Sequence, residues 1–279
     1  MPRTPPPTPE DPAPEDRWPT AITHVEQDKI LVRGYPLDEL MGRLSFGDAI
    51  YLLISGEVPS PTVSRVMDAL LVASLDHGAW PPSTLAARHV AGTGAPLRAA
   101  AAAGILALGS PLGGGGSIEG CMRFLDEGLA LVGDWVSYDD AARRMLDQQS
   151  GGRVPPGFGH RQHRRDPRAV RLMQLAFELE LEGGHTQLAR AVEQELGERQ
   201  AAAGQPRLSL NADGAIAAVA GDLGLDAEMA ALLFTISRVP GLVTHAIEEQ
   251  RRQDAMRSID PSKHVYDGPG ERRLPDSPL

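Results

Sequence analysis

The stretch from residue 155 to residue 168 reads Pro-Pro-Gly-Phe-Gly-His-Arg-Gln-His-Arg-Arg-Asp-Pro-Arg. Its Gly-Phe-Gly turn exposes the backbone at His160, and cationic or titratable side chains crowd the same loop. Guanidinium groups bind phosphate oxygens, and an imidazole can donate a hydrogen bond to a developing oxyanion. The segment therefore predicts a site for a polyanion. A solvated basic loop whose histidine has no role is the alternative that local composition leaves open. The crowding side chains are Arg161, His163, Arg164, Arg165 and Arg168.

The sequence on both sides of this loop favours helices. Aromatic residues make up only 4% of the chain and alanine is abundant, so the core must be built mainly from Ala, Leu, Val and Ile. Such a composition favours closely packed helices over a β-sandwich, and strand signals are few and short. The prediction is an all-α fold, in which the Ala- and Leu-rich segment 95–108 is surrounded by protein on most sides. After an apolar, β-branched piece at 30–35, the segments predicted as helices are 37–44, 46–54, 60–74, 95–108, 118–131, 139–149, 169–181, 184–198, 210–223, 227–237 and 242–252.

Bulk composition excludes several classes of protein. The formal net charge of −10 argues against a nucleic-acid surface, which needs clustered Lys and Arg. The only cysteine, Cys121, excludes an intrachain disulfide framework and fits a reducing compartment. No uninterrupted apolar run is long enough to cross a bilayer, and the N-terminus has no secretion signal, so we expect a cytoplasmic protein without membrane contact. Residues 1–17 are dominated by proline and acidic residues and are predicted to be a disordered tail.

Further motifs follow in a fixed order along the chain. Arg33-Gly-Tyr35 precedes Phe46 and Leu52-Leu-Ile-Ser-Gly-Glu-Val-Pro59, and Asn211-Ala-Asp213 precedes Phe234, Arg238, His245 and Glu248. Together with the 155–168 segment, these motifs resemble the citrate synthase family, whose signature reads Pro-Gly-Phe-Gly-His-Arg followed by Asp-Pro-Arg. The resemblance covers roughly residues 20–275, nearly the whole ordered chain.

The resemblance implies a helical, citrate-synthase-like fold of two domains with the active site in the cleft, and a homodimer. The large domain is expected at 18–114 and 225–279, and the small domain at 115–224. Domain closure would exclude water and bring Asp213 and His160 to the loop that binds coenzyme A (CoA).

The family also implies roles for three residues. Asp213 matches the carboxylate that removes a proton from the methyl group of acetyl-CoA, or returns it during cleavage. His160 matches the histidine that hydrogen-bonds the carbonyl or hydroxyl oxygen of the electrophile, and Arg238 matches an arginine that holds a carboxylate. Burial at the start of an apolar helix would raise the basicity of Asp213. Taken alone, Asp213 could equally be a helix N-cap, and Arg238 a surface or salt-bridged arginine.

The chain departs from the family pattern on the thioester side. The family normally carries His-Gly-Gly-Ala, whose histidine hydrogen-bonds the thioester carbonyl, but here a tetraglycine spans residues 113–116 and the histidine falls at Gly113 or Gly114. Backbone N–H groups of Gly114 and Gly115 could serve as the oxyanion donors instead. A flexible hinge is the alternative. The side chains of Arg161, Arg164 and Arg165 are expected to bind the phosphates of CoA.

A second departure concerns the substrate's carboxylates. Asp76-His77-Gly78, followed by Arg88, resembles a segment of the citryl-CoA lyases and of the citrate-synthase-like module of ATP-citrate lyase. His77 would then contact a carboxylate or hydroxyl of the substrate, with Arg88 as a second anion partner, although His77 beside Trp80 could also be an ordinary capping histidine. Near the C-terminus, Asp260 stands where the family has an arginine, and Arg257 is the candidate replacement.

These residues predict an enzyme of the citryl-CoA lyase type, which cleaves or forms the carbon–carbon bond between an acetyl-CoA unit and a 2-oxo acid such as oxaloacetate. The CoA thioester is then a substrate; no tightly bound cofactor is expected, and no metal, because no His/Asp/Glu set has ligand spacing. One alternative is a citrate or 2-methylcitrate synthase. The other is a non-catalytic homologue that only binds CoA esters.

Overall fold

The computed structural model describes residues 19–109, 115–149, 153–257 and 260–274. Within these ranges it contains eleven α-helices and one small three-stranded sheet, which confirms the all-α prediction. The predicted disordered tail at 1–17 lies outside the described residues. The strands are β1 (Thr23–Glu26), β2 (Lys29–Val32) and β3 (Tyr35–Pro36), and the helices are α1 (Leu37–Leu40), α2 (Phe46–Ser55), α3 (Pro61–Ala73), α4 (Pro82–Gly92), α5 (Leu97–Leu106), α6 (Gly115–Leu129), α7 (Tyr138–Gln148), α8 (Pro167–Glu178), α9 (Gly184–Ala202), α10 (Ala212–Asp222) and α11 (Ala227–Arg252), with a 3-10 turn at Pro261–Lys263.

The chain divides into two compact units. Unit 1 comprises the described residues of 1–74 and 110–237, and unit 2 those of 75–109 and 238–279. These boundaries differ from the expected large and small domains, whose division stays a prediction. His160 and Asp213 belong to unit 1, whereas the predicted carboxylate ligands belong to unit 2.

Helix α10 lies at the centre of unit 1, where it packs against α6, α8 and α9. Its residues 214–220 read Gly-Ala-Ile-Ala-Ala-Val-Ala and are all buried. Small side chains around the whole circumference allow three neighbouring helices to approach closely, whereas a one-sided apolar stripe would bury only one face. The helix that carries Asp213 is therefore held from several sides.

A partly buried polar cluster joins α6, α9 and α10 at the far end of α10. The imidazole of His185, at the start of α9, lies between Asp222 (Nδ1 to Oδ1, 3.1 Å) and Asp126 (Nε2 to Oδ1, 2.9 Å). Asp222 also accepts hydrogen bonds from the backbone N–H groups of Gly183 and Thr186. The hydrogen bond to Asp222 raises the pKa of His185 above its ordinary value of 6.5, against the opposing effect of burial, and Asp126 adds to the rise.

This cluster predicts a pH-dependent stability. Because the folded pKa of His185 is raised, its stabilisation is fully present below about pH 6.5 and is lost as the pH rises through the folded value. Burial acts to raise the pKa of Asp222, but the hydrogen bonds from His185 and Thr186 outweigh it and lower the pKa overall. The stabilisation contributed by the Asp222 carboxylate is therefore lost only in acid. The difference in unfolding free energy between wild type and His185→Gln, measured by urea denaturation, should shrink from pH 6 to pH 9. A difference that is constant over this range contradicts the assignment.

Three structural predictions are wrong. Helix α4 was not predicted, although Pro82 occupies the first helical turn, where a missing N–H costs nothing. Helix α11 is continuous through Pro240, although the sequence predicted two helices there. Helix α5 buries only Ala100, Ala101 and Gly104 in the single chain, and Leu106 at its end is 87% exposed. Within the single chain, protein therefore does not surround α5 on most sides.

Two further features were not resolved by sequence patterns. Strands β1 and β2 form an antiparallel hairpin in which Glu26 pairs with Lys29, so the turn has two residues, and Asp28 adopts a φ of +60°. Contrary to the expectation that no apolar run is long enough to cross a bilayer, α11, among the described helices, passes the test of length and composition for a membrane span. Core helices of soluble proteins pass the same test, and Arg238 and Pro240 lie in its middle.

Candidate active site

The loop at 157–159 forms backbone hydrogen bonds with the extended segment 209–211, which leads into α10. Gly159 N donates to Ser209 O (2.8 Å), Asn211 N donates to Gly157 O (2.9 Å), and Asn211 Nδ2 donates to Gly159 O (2.7 Å). Asn211 also caps α10, because its Oδ1 accepts from Gly214 N (3.1 Å). A single asparagine therefore connects the histidine loop to the first turn of the helix that carries Asp213.

Two glycines make this close approach possible. Gly157 adopts a φ of +85°, and a Cβ added there would lie 2.5 Å from Cys121 Sγ and 2.7 Å from Gly214 Cα. A Cβ added at Gly214 would overlap Gly157 O and lie 2.6 Å from Leu210 Cδ1. Since backbone meets backbone, no side-chain rotation can relieve such a clash. The Gly-Phe-Gly turn and the residue after Asp213 are thus fitted to each other.

The hydrogen bonds of His160 assign its tautomer. Nδ1 accepts from the backbone N–H groups of Gln162 (3.1 Å) and His163 (3.1 Å), so the proton of the neutral ring is on Nε2. Burial lowers the pKa of His160, the charges of His163 and Arg168 lower it further, and the charge of Asp166 opposes them. The side chain is therefore a neutral imidazole whose Nε2–H can donate to an oxygen of a bound substrate.

Asp213 lies in the first turn of α10, directly after the buried Ala212. Its side chain is half-buried, as the sequence predicted. Burial raises the pKa of the Cys121 thiol, and the negative charge of the nearby Asp213 raises it further. Asp213 and His160 therefore lie on two segments that hydrogen-bond to each other.

Sequence reasoning gave no separate role to Asp166 and counted Arg168 only among the cationic side chains of the loop. Asp166 is 1% exposed and caps α8, and its carboxylate also binds the guanidinium of Arg168 (Oδ2 to Nη2, 2.8 Å). Burial acts to raise the pKa of Asp166, but the hydrogen bonds and charge of Arg168 outweigh it, so the pKa is lowered. Asp-Pro before an apolar run is an N-cap signal, so the sequence held enough information to find this carboxylate.

The residues expected to bind CoA are placed as follows. Arg161, Arg164 and Arg165 are exposed, and within the described ranges none of the three forms an ion pair. Gly115 begins α6, where the first backbone N–H groups have no partner inside the helix. Gly114 lies outside the described residues. The phosphate and oxyanion roles stay predictions.

In unit 2, His77 lies in a tight turn before α4. Its ring centroid is 5.6 Å from that of Trp80, and Gly78, with a φ of +89°, donates from N to Asp76 Oδ2 (3.1 Å). His245 Nε2 contacts Asp76 Oδ1 (3.1 Å), which connects this turn to α11. Burial acts to raise the pKa of Asp76, but the backbone N–H groups of Gly78 and His77 lower it overall. The turn thus holds a carboxylate beside His77.

Arg88 is placed against a buried carboxylate. Its Nε donates to Glu249 Oε2 (2.6 Å), and Arg257 Nη2 lies 2.9 Å from Glu249 Oε1. The Glu249 side chain is only 1% exposed, so two guanidiniums share one carboxylate and the group keeps a positive charge. Arg238, on α11, is 3% exposed. Among the described residues, no three His, Cys, Asp or Glu side chains gather as metal ligands.

The buried ion triad formed by Arg88, Glu249 and Arg257 leads to a prediction about stability. Glu249→Gln keeps the shape of the side chain but removes the charge that both guanidiniums bind, so the unfolding free energy should fall by about 2 kcal/mol. Chemical denaturation measures it. The control is Glu248→Gln, which has an exposed partner in Arg252 and a more distant one in His245 (3.7 Å), and which should change stability by less than about 0.5 kcal/mol. Equal effects of the two variants would contradict a buried ion triad.

Comparisons with known proteins agree with this arrangement. A family model described as citrate synthase, C-terminal domain, matches residues 58–259. Citrate synthase 2 of Bacillus subtilis (strain 168) is 28% identical over 222 residues, which are 79% of this chain and 55% of that protein. The chain spans about half the length of the curated relatives it matches.

Two solved structures share the fold. Citryl-CoA lyase from Hydrogenobacter thermophilus matches with a TM-score of 0.82 and 41% identity, over 92% of this chain and 97% of that chain. ATP citrate lyase of Methanosaeta concilii, solved in complex with (3S)-citryl-CoA, matches with a TM-score of 0.72 and 20% identity, over 94% of this chain and 43% of that chain. The second likeness concerns the fold alone.

Proposed function

The chain belongs to the citrate synthase family, and on this premise we propose that it is an enzyme of the citryl-CoA lyase type. The reaction is cleavage of citryl-CoA, or of a related 3-hydroxy-3-carboxyacyl-CoA, to acetyl-CoA and a 2-oxo acid such as oxaloacetate. Cleavage and condensation share one transition state, so the same residues serve both directions. The proposal rests on one observation: Asn211 hydrogen-bonds the loop that carries the neutral His160 side chain to the start of the helix that bears Asp213.

In cleavage the substrate loses the proton of its hydroxyl group, and the methylene carbon that becomes the methyl group of acetyl-CoA gains one. Asp213 enters the step protonated, delivers its proton to carbon and is reprotonated from solvent, and its half-buried position at a helix start keeps the carboxyl in place. The hydroxyl proton leaves to solvent, because His160 Nε2 already carries a proton, and Nε2–H hydrogen-bonds the oxygen where negative charge develops as the bond breaks. Each residue acts on one end of the bond that is cleaved.

The remaining roles are assigned by charge. His77 and Arg238 bind carboxylates of the substrate, and Arg88 adds positive charge through the guanidinium nitrogens that Glu249 does not occupy. The exposed Arg161, Arg164 and Arg165 bind the phosphates of CoA. Backbone N–H groups at Gly114 and Gly115 receive the thioester oxygen in place of the family's histidine.

We also propose a homodimer located in the cytoplasm. The support for a dimer is helix α5, whose surface in the single chain exposes Leu106, Ala99 and Ala102. Exposed apolar area of this kind favours association. Light scattering coupled to gel filtration measures the mass directly: a mass near twice 29.8 kDa supports the dimer, and a mass of 29.8 kDa contradicts it.

Two parallel assays separate the functional candidates. The first supplies synthetic citryl-CoA and detects oxaloacetate, and the second supplies acetyl-CoA with oxaloacetate and detects free CoA thiol. Oxaloacetate release supports the lyase. Thiol release, which requires hydrolysis of the thioester after condensation, supports a citrate or 2-methylcitrate synthase, and no product in either assay at high enzyme concentration, with CoA still bound, supports the non-catalytic homologue.

A further inference from the structure

Asp166 is a buried carboxylate to which the proposed reaction gives no role. Its side chain accepts four hydrogen bonds, from Arg168 N (3.0 Å) and Arg168 Nε (3.0 Å) at Oδ1, and from Arg168 Nη2 (2.8 Å) and Ala212 N (3.1 Å) at Oδ2. A carboxylate that is 1% exposed is tolerated only when hydrogen bonds replace its hydration. These four bonds satisfy that requirement.

The bonds reach two different helices. Oδ1 caps α8, and Oδ2 binds the backbone N–H of Ala212, the first residue of α10 and the residue before Asp213. Asp166 also lies at the end of the loop that begins with His160, six residues earlier in the chain. A single buried side chain therefore connects the end of the histidine loop to the helix turn of the proposed proton carrier.

We propose that Asp166 is a positioning residue, which fixes the first turn of α10, and with it Asp213, against the His160 loop; this inference rests on the proposed function. On the N-terminal side of His160, Asn211 joins the loop to α10 through a hydrogen bond to Gly159 O. On the C-terminal side, Asp166 joins the loop to α10 by accepting a hydrogen bond from Ala212 N. Two attachments, one on each side of His160, define the relative placement of the two reacting groups. A displacement of about 1 Å between such groups can cost 10²-fold in rate.

Asp166→Asn tests the proposal with the least change of shape. Asparagine caps helices as well as aspartate does, so its oxygen can still accept from Arg168 N. Its NH2 group must then face Ala212 N–H and Arg168 Nη2, which are both donors, and the attachment to α10 is lost. The turnover number for citryl-CoA cleavage should fall on the order of 10²-fold, while KM stays close to that of the wild type.

Asp226→Asn is the matched control. Asp226 also caps a helix, since its Oδ1 accepts from Met229 N (2.8 Å) at the start of α11, but it is exposed and has no bond to α10. This variant should keep the wild-type turnover number. Unchanged turnover in Asp166→Asn, or an equal loss in both variants, would overturn the proposal.

Two further measurements exclude a merely structural role. In the double variant with Asp213→Asn, Asp166→Asn should lower the turnover number by far less than the 10²-fold of its single effect, because the group that it positions is already gone. If Asp166→Asn acted only by reducing the amount of folded protein, its full effect would multiply that of Asp213→Asn. Amide hydrogen exchange at Ala212, followed by NMR, should accelerate in Asp166→Asn and not in Asp226→Asn, and unchanged exchange refutes the attachment. Hydrogen exchange needs no substrate, so it tests the attachment by Asp166 independently of the reaction. If the wild type does not cleave citryl-CoA, the proposed function is contradicted, and the exchange rate at Ala212 still tests the role of Asp166.

Discussion

Asp213→Asn is expected to lower the turnover number for citryl-CoA cleavage on the order of 10³-fold while CoA still binds. The amide cannot carry a proton between solvent and carbon, yet it has nearly the size of the carboxylate, so the packing of α10 against the loop is retained. Stopped-time assays of oxaloacetate release measure the rate, and isothermal titration with CoA measures binding. The loss should appear in the chemical step alone.

The control for this prediction is Glu228→Gln. Glu228 is an exposed carboxylate in the first turn of α11, as Asp213 is in the first turn of α10, and it has no bond to the His160 loop. Its variant should keep wild-type turnover. Wild-type activity in Asp213→Asn would remove this residue from the reaction, and lost CoA binding would indicate a damaged fold.

Gly214→Ala is expected to be the most destabilising substitution near the site. The new methyl group would overlap Gly157 O and press on Leu210 Cδ1, at a place where Gly157 is also packed closely against Cys121. Overpacking of backbone against backbone should lower the unfolding free energy by about 3 kcal/mol, and citryl-CoA cleavage should fall with it because the His160 loop is displaced. Thermal and chemical denaturation measure the first effect.

Gly92→Ala provides the comparison for Gly214→Ala. Gly92 also lies in a helix, but the nearest atoms to an added Cβ are those of Glu249 at 3.9 Å, which is ordinary contact. Alanine there should leave stability unchanged or raise it by up to about 1 kcal/mol. Tolerance of alanine at both positions would show that the loop and α10 are not fitted to each other.

The sequence identified the residues of the candidate site, but it did not predict how they contact one another. The 155–168 segment and Asn211-Ala-Asp213 could be recognised as motifs, and apolar spacing found most of the helices around them. The pairing of Gly157 with Gly214 could not be foreseen, because it joins residues far apart in sequence through backbone atoms that carry no pattern. The tautomer of His160 was equally hidden, since it depends on two N–H groups of the following residues.

Prolines lie in both regions where the helix predictions failed. No helix was predicted at 82–92, although a proline in the first turn of a helix is favourable and Pro82 occupies such a position. Two helices were predicted on either side of residues 238–241, but α11 continues through Pro240, and Thr244 Oγ1 donates to the carbonyl of Pro240 (2.8 Å). Local propensity disfavours a proline inside a helix, so the packing of the apolar residues on both sides must compensate for Pro240.

The central claim is that Asp213 and His160 break the carbon–carbon bond of a CoA ester, and cleavage of citryl-CoA in D2O tests it most directly. Mass spectrometry of the acetyl-CoA product should show a single deuterium in the methyl group for each turnover, together with an equal amount of oxaloacetate. Asp213→Asn should form neither product at a comparable rate. Absence of acetyl-CoA and oxaloacetate with the wild-type protein, at high enzyme concentration and with CoA binding intact, would contradict the claim.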